Sequence, residues 1–160
     1  MRPSSSPPTG LTVRLPPLHP RQSEVARAAA RFRVLVCGRR WGKTRFGVVG
    51  SLAVGLRRGR VWWVAPIYAQ SLIAWRLFVP MVRQIPGAVV HQSEHYITLP
   101  GGGEVWCKSA DNPDTLRGEA LDLLVMDEAD FVDEAVWTES LRATLSDRQG
   151  RAVFISSPKV

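Results

Sequence analysis

Hydrophobic residues along this chain are grouped in a way that predicts alternating strands and helices. Four short apolar runs have the length of buried strands, at 33–37, 61–65, 121–126 and 151–156. Longer segments with apolar residues at helical spacing accompany them, at 23–32, 43–56, 68–82 and 134–145. Pro80 is expected to bend or end the third helix. This alternation is typical of an α/β fold with a mainly parallel sheet.

The segment 88–109 has a different pattern. Three short strand-like runs follow one another there, at 88–92, 96–99 and 104–108, and a Pro-Gly-Gly-Gly turn separates the last two. The pattern predicts a small antiparallel insert or an extension at the edge of the parallel sheet. Ligands of parallel sheets bind at the carboxyl ends of the strands, so we expect the chemistry to lie in the residues that follow each strand.

The composition of the chain indicates that its binding partner is negatively charged. The chain has 160 residues and a formal net charge of +7, which favours a polyanionic partner such as nucleic acid, nucleotide or a membrane surface. Residues 1–17 are rich in Pro and Ser and are predicted to be a disordered lead-in, followed by one domain over 18–160. The two cysteines, Cys37 and Cys107, form no metal-binding or redox spacing.

Nothing in the sequence has the pattern of a membrane or export signal. No apolar run approaches the length of about 18 residues that a transmembrane helix needs. The N-terminus also lacks the apolar stretch of a secretory signal. We therefore expect a protein of the cytoplasm without a membrane partner.

The first predicted strand is followed by a sequence with the layout of a phosphate-binding loop, Gly38-Arg39-Arg40-Trp41-Gly42-Lys43-Thr44. In such a loop backbone N–H groups contact phosphate oxygens, the lysine neutralises the β- and γ-phosphates, and the hydroxyl holds Mg²⁺. Cys37 stands where the pattern has its first glycine. We expect residues 38–44 to bind ATP, with Thr44 as a ligand of Mg²⁺.

A second nucleotide signal follows about 80 residues later. The apolar run 123–126 ends in Asp127 and Glu128, which a strand would place at the carboxyl edge of the sheet. Asp127 is predicted to hold Mg²⁺ opposite Thr44. Glu128 is predicted to be the catalytic base that accepts a proton from a water aligned on the terminal phosphate. The two signals together predict a site for ATP and Mg²⁺.

Other polar residues have two interpretations each. Gln22 is a candidate for contacting the adenine edge, or it is an ordinary surface glutamine. Of Arg39 and Arg40, one can reach the γ-phosphate, while the other is solvated or grips DNA. Trp41 belongs to the loop, although tryptophans of this chain more often fill the core than stack on bases.

Two later segments are also ambiguous. Arg117 is either an arginine that completes a neighbouring subunit's site or a loop residue that bonds its own Asp111 or Asp114. Ser156 and Ser157 end the last strand, where a hydroxyl either senses the γ-phosphate or simply closes a turn.

With these residues in view, the chain resembles the ATPase domain of the phage terminase large subunit, the motor that packages DNA into capsids. The resemblance runs from about His19 to the last residue. It rests on the loop 38–44 and four further stretches: Val64-Ala65-Pro66 with Tyr68 and Gln70, Ser109-Ala110-Asp111-Asn112-Pro113 with Leu116-Arg117-Gly118, Met126-Asp127-Glu128-Ala129, and Ser156-Ser157-Pro158.

The resemblance implies a P-loop ATPase domain that drives double-stranded DNA into a capsid, as part of a homo-oligomeric ring with a portal and a small terminase subunit as partners. It implies that ATP turnover depends on Arg39 or Arg40, Lys43, Thr44, Asp127 with Glu128, and the segment 156–157. It also implies that Arg117 acts on the neighbouring subunit.

The family normally continues into more of the ATPase domain and then a nuclease domain with clustered acids. This sequence has no second acidic cluster of that kind, so we expect the nuclease domain to be absent and the ATPase domain to be incomplete at its C-terminus. Two alternatives remain open: a helicase-like ATPase, suggested by Gln22 and by Asp127-Glu128-Ala129-Asp130, and a nucleotide- or DNA-binding module without turnover.

Overall fold

A computed structural model describes residues 10–159 and contains one seven-stranded sheet in that range. Its strands are Phe32–Val36 (β1), Arg60–Ala65 (β2), Val89–His91 (β3), Tyr96–Thr98 (β4), Glu104–Ser109 (β5), Leu123–Met126 (β6) and Arg151–Ser156 (β7). The helices are Pro20–Arg27 (α1), Lys43–Leu56 (α2), Tyr68–Val82 (α3), Glu134–Val136 (α4) and Arg142–Thr144 (α5), with a π-helical segment Trp137–Leu141 between the last two. Short 3₁₀ turns occupy Arg39–Trp41, Pro113–Leu116 and Ala129–Phe131.

The sheet is mainly parallel, as the sequence predicts. Its strand order is β1-β7-β6-β2-β5-β4-β3. The first five strands in this order, which are β1, β7, β6, β2 and β5, are parallel to one another. Strands β4 and β3 add to β5 in antiparallel register, which confirms the predicted extension at 88–109. Because β1, β7 and β6 are neighbours, the residues that follow these three strands meet at one edge of the sheet.

Two hydrophobic layers cover the two faces of the sheet. Helices α2 and α3 pack with alternate strand residues such as Trp63 and Ile155. The α4–α5 region packs against the other face of the sheet, where the intervening strand residues such as Trp62 and Leu124 lie. Burial on both faces explains why the central strands read as continuous apolar runs rather than alternating ones.

The first helix lies earlier than the spacing predicts. His19 and Gln22 form a capping box, and the helix ends at Arg27 instead of continuing to residue 32. The reason is the pairing of β1 with β7, since Phe32 lies opposite Ala152 and the Ala152 N–H donates to the Arg31 carbonyl. The Ala-rich segment 28–31 must therefore be extended to reach the sheet.

The predicted helix 134–145 is also modified, because it contains the π-helical segment at its centre. Helix α3 matches its predicted range and includes Pro80 two residues before its end. No helix within residues 10–159 is long and apolar enough to cross a membrane.

The N-terminal segment and β1 form one flank of the domain. Residues 1–9 of the predicted lead-in lie outside the described residues; residues 10–17 contain no helix or strand, and Val13 and Leu15 contact the core. Within the described chain β1 is an edge strand, and Val34 and Val36 are 69% and 59% exposed.

Candidate active site

The loop between β1 and α2 has the backbone geometry of an anion-binding helix start. Gly42 is the residue before the helix and has φ +79°, a left-handed conformation that favours glycine. No side chain caps α2, and its first helical hydrogen bond runs from the Phe46 N–H to the Gly42 carbonyl. Among the described residues, the backbone N–H groups of residues 43–45 have no partner and can bind an anion, where the helix dipole also favours negative charge.

Lys43 begins that helix and is buried, with 8% of its surface exposed. Its Nζ donates to the Cys37 carbonyl and, over 2.8 Å, to the Ser157 Oγ. No carboxylate of the described residues lies within ion-pair distance of it. A buried ammonium held only by neutral oxygens is costly, so this position is suited to an anionic ligand.

Asp127 lies across the edge at the end of β6 and is 8% exposed. Its Oδ1 accepts a hydrogen bond of 3.0 Å from the Glu128 N–H. Burial raises the pKa of Asp127 to about 6, and the neighbouring Glu128 charge adds to this, whereas the Glu128 N–H and Lys43 oppose it. Glu128 has φ +46°, which is unusual for a residue with a side chain and turns the chain sharply after β6.

A cavity of about 760 Å³ brings these elements together. Its lining includes Gly38, Arg39, Lys43 and Thr44 from the loop and helix start, Glu128 from the acidic pair, and Ser157 from the end of β7. Lys43 and Thr44 of the predicted phosphate loop and the predicted base Glu128 thus line one cavity, whereas Asp127, the other predicted metal ligand, is not among its lining residues. Arg40 is exposed and is not among the residues that line it.

The two predicted serines have different partners. Ser157 contacts Lys43, as described above, and therefore lies beside the phosphate loop. Ser156 donates instead to Asp130, in the turn after the acidic pair. The end of β7 is thus bonded to both halves of the site. The sequence shows Asp130 only as the last residue of Asp127-Glu128-Ala129-Asp130, and its pattern predicts no role for this residue.

Gln22 lies behind the phosphate loop. It is 4% exposed, its Nε2 donates to the Trp41 carbonyl over 2.9 Å, and its Oε1 accepts from the His19 N–H over 3.2 Å. Both ends of the amide are hydrogen-bonded within the protein, so Gln22 supports the phosphate loop from behind and is not the surface glutamine of the alternative interpretation. Trp41 packs edge-on against His19 and Phe46, so its ring is part of the same support.

Arg117 does not line the cavity. It is exposed, follows the turn Pro113–Leu116, and its Nε donates to the Ser140 Oγ over 3.3 Å. The predicted alternative, a bond to Asp111 or Asp114, is not formed among the described residues, and Asp111 accepts from Ser109. Within a single copy the arginine is therefore outside the site.

The fold and this edge define the class of the protein: a P-loop NTPase, with the phosphate loop after β1 and the acidic pair after β6. The sequence matches no protein-family model. It is 32% identical over 163 residues to the terminase large subunits of Thermus phage G20c and of Thermus virus P23-45, covering 88% of this chain in each case. The chain spans about one third (34%) of the length of these curated relatives.

Solved structures agree with this match. The large terminase ATPase domain of Thermus phage P74-26 superposes with a TM-score of 0.79 and 31% identity, over 88% of this chain and 65% of that one. The chain belongs to the family of phage terminase large subunits and corresponds to part of their ATPase domain. A large terminase from a thermophilic bacteriophage, solved in complex with ADP, has the same fold, with a TM-score of 0.64 at 17% identity over 88% of this chain and 39% of that one.

Proposed function

We propose that this chain binds and hydrolyses ATP as the ATPase of a viral DNA-packaging motor. The observation that carries the proposal is the buried Lys43 ammonium, which faces the same cavity as Glu128 without a carboxylate partner among the described residues. Membership of the terminase family and the ADP complex of the thermophilic bacteriophage enzyme support the nucleotide as ligand.

The residues present are suited to Mg²⁺. Thr44 supplies a hydroxyl at the cavity and Asp127 a buried carboxylate, both hard oxygen donors of the kind Mg²⁺ prefers. Asp127 has no ion-pair partner in the part of the chain that the structure describes, so a cation there would offset the cost of its burial. When bound, the ion would neutralise phosphate charge.

The protein's own groups would act as follows. The free N–H groups at the start of α2 bind phosphate oxygens, and Lys43 leaves Cys37 and Ser157 for the β- and γ-phosphates. Arg39, at the rim of the cavity, adds a second cation. Glu128 would accept a proton from water as the water oxygen bonds to the γ-phosphorus. The bond from that phosphorus to the bridging oxygen would break roughly in line with the forming bond, and ADP and phosphate would leave.

The wider assignment rests on the family. Double-stranded DNA would be the substrate that is moved, with a portal and a small terminase subunit as partners of a homo-oligomeric ring. The net charge of +7 fits a polyanionic substrate. Since Arg117 lies outside the cavity of its own chain, we propose that it serves the site of the next copy.

Hydrolysis of ATP with and without double-stranded DNA tests the activity. We expect Glu128→Gln to retain nucleotide binding and to lose turnover by about a hundredfold or more, because the base is removed and the shape is kept. Glu139→Gln, on an exposed part of the π-helical segment, is the matched control and should behave as the parent chain.

Three results would redirect the assignment. Equal turnover in Glu128→Gln and the parent would exclude Glu128 as the base. Binding without turnover under both conditions would identify a nucleotide-binding module. Stimulation by single strands in preference to duplex would favour the helicase-like alternative.

A further inference from the structure

A second lysine, Lys159, borders the nucleotide cavity. It lies in the segment after β7, two residues beyond Ser157, and shares the cavity lining with Lys43, Asp130 and Phe131. The sequence patterns that mark the phosphate loop and the acidic pair do not include it. Its contact with Asp130 nevertheless places this cation beside the turn that follows the acidic pair.

The contacts that hold Lys159 are weak. Its Nζ is 3.7 Å from the Asp130 Oδ2 and 5.6 Å from the centre of the Phe131 ring, and 74% of its side chain is exposed. Exposed ion pairs and cation–π contacts of this kind contribute little, so the ammonium can exchange them for a stronger partner at small cost.

Asp130 does not depend on Lys159. The Ser156 hydroxyl donates to its carboxylate, and this bond, more than the lysine, holds the pKa of Asp130 below its usual value. If Lys159 moves away, the turn after the acidic pair therefore remains bonded to β7. The lysine is free to move, while its anchor stays in place.

We infer that Lys159 contacts the terminal phosphate of a bound nucleoside triphosphate, leaving Asp130 when that phosphate is present. The loop N–H groups and Lys43 approach the polyphosphate from the helix, whereas Lys159 approaches from the Glu128–Asp130 side, where the terminal phosphate must lie for the base to act. A diphosphate would not reach it. This inference rests on the proposed nucleotide-binding function.

Calorimetric titration with Mg²⁺-ATPγS and with Mg²⁺-ADP tests the inference on the full chain. Lys159→Gln should weaken ATPγS binding by about tenfold, as for the loss of one charge-assisted contact, and change ADP binding by less than about twofold. Lys108→Gln is the charge-matched control, because Lys108 lies over the Trp62 ring at 4.4 Å and outside the cavity.

A second variant tests the exchange of partners. Asp130→Asn keeps an oxygen that accepts from Ser156 but removes the ion pair, so it should tighten ATPγS binding. In the double variant with Lys159→Gln this gain should vanish, which isolates the coupling of the two residues from a general charge effect.

The outcomes separate the two proposals. If the parent chain binds neither nucleotide, the proposed function fails and the inference with it. If the parent binds both and Lys159→Gln weakens them equally, or the gain of Asp130→Asn persists in the double variant, the function stands and the role of Lys159 is refuted.

Discussion

Two ionisable residues of the candidate site, Lys43 and Asp127, are buried in the folded protein. Each is 8% exposed and neither has an ion-pair partner among the described residues. Their separate burial is unfavourable in the free protein, and a bound Mg²⁺-nucleotide would relieve both. If the proposed ligand binds, the free energy lost to the burial of these two charges would be regained as binding free energy.

Asp127→Asn should therefore stabilise the free protein. The pKa of Asp127 is raised to about 6 in the folded state, so the fold favours the protonated form and loses stability as the pH rises towards that value. Removing the charge should raise the free energy of unfolding by about 3 kcal/mol at most near pH 7.5 and by about half as much near pH 5.

Urea denaturation at the two pH values measures this difference. Asp147→Asn, at an exposed position, is the control and should change stability little at either pH. A gain for Asp127→Asn that is the same at both pH values would show that relief of the buried charge is not its cause.

At the residue scale, the sequence brings together residues whose predicted roles follow from their type and spacing. Lys43, Thr44 and Glu128 line one cavity as expected, because a strand end fixes where the next residues lie. The partners of Gln22 could not be predicted, because its bond to the Trp41 carbonyl joins residues 19 apart and depends on how α1 packs on the loop.

Helix α2 connects the phosphate loop to the core, and its glycines show how tightly it is packed. A side-chain carbon added at Gly47 would lie 2.7 Å from the buried Trp63 ring and 3.2 Å from Ile155. At Gly50, three residues later, the same atom would meet nothing within 4 Å. The position of Gly47 therefore needs a residue without a side chain, and the position of Gly50 does not.

Alanine at these two positions should have opposite effects. Gly47→Ala should destabilise the protein by about 1–3 kcal/mol, because the ring beneath it is fully packed. Gly50→Ala should stabilise it by about 0.5–1 kcal/mol through helix propensity alone. Thermal unfolding of the pair checks the prediction, with each variant the other's control. Stabilisation by both would contradict the packing described for α2.

Element boundaries were predictable where local signals decide them. Helices α2 and α3 and strand β7 have their predicted ranges, since glycine, proline and strand ends mark them in the sequence. The predicted end of α1 was wrong, because the pairing of β1 with β7 holds residues 28–31 extended although their sequence locally favours a helix. The sequence of the π-helical segment Trp137–Leu141 has no pattern that predicts this conformation.

The charges of the whole molecule are unevenly distributed along the chain. Glu24 is the only acidic residue among residues 1–60, whereas most acidic residues lie after residue 100. The flank that carries α1, β1 and the phosphate loop is therefore basic, and the turn and helices after β6 are acidic. If copies of the chain associate as proposed, such polarity would favour head-to-tail contact over symmetric pairing.

Mixing two variants that we expect to be inactive tests whether one copy of the chain completes the site of another. Arg117→Ala lacks the arginine and Lys43→Ala lacks the phosphate lysine, so a mixed assembly contains some sites with both groups. We expect partial recovery of ATP hydrolysis that peaks at intermediate ratios. Activity that never exceeds that of the single variants at any ratio would refute action between copies; neither variant alone should recover at higher concentration.

The class of fold was predictable at this scale because alternation of strands and helices restricts the topology. The placement of Arg117 was not. Its contact with Ser140 depends on how the turn Pro113–Leu116 meets the π-helical segment, and the sequence of neither element predicts that contact.

Strand β1 lies at the edge of the sheet, so it should open more readily than the central strands. Among the described strands β1 pairs on one side only, with β7, so its amides should exchange with solvent sooner than those of the central strands β6 and β2. The phosphate loop begins at the end of this strand. A nucleotide that binds the loop would slow the local opening of β1. Occupancy of the site would then be measurable as slower amide hydrogen exchange in β1, a strand that the nucleotide does not contact.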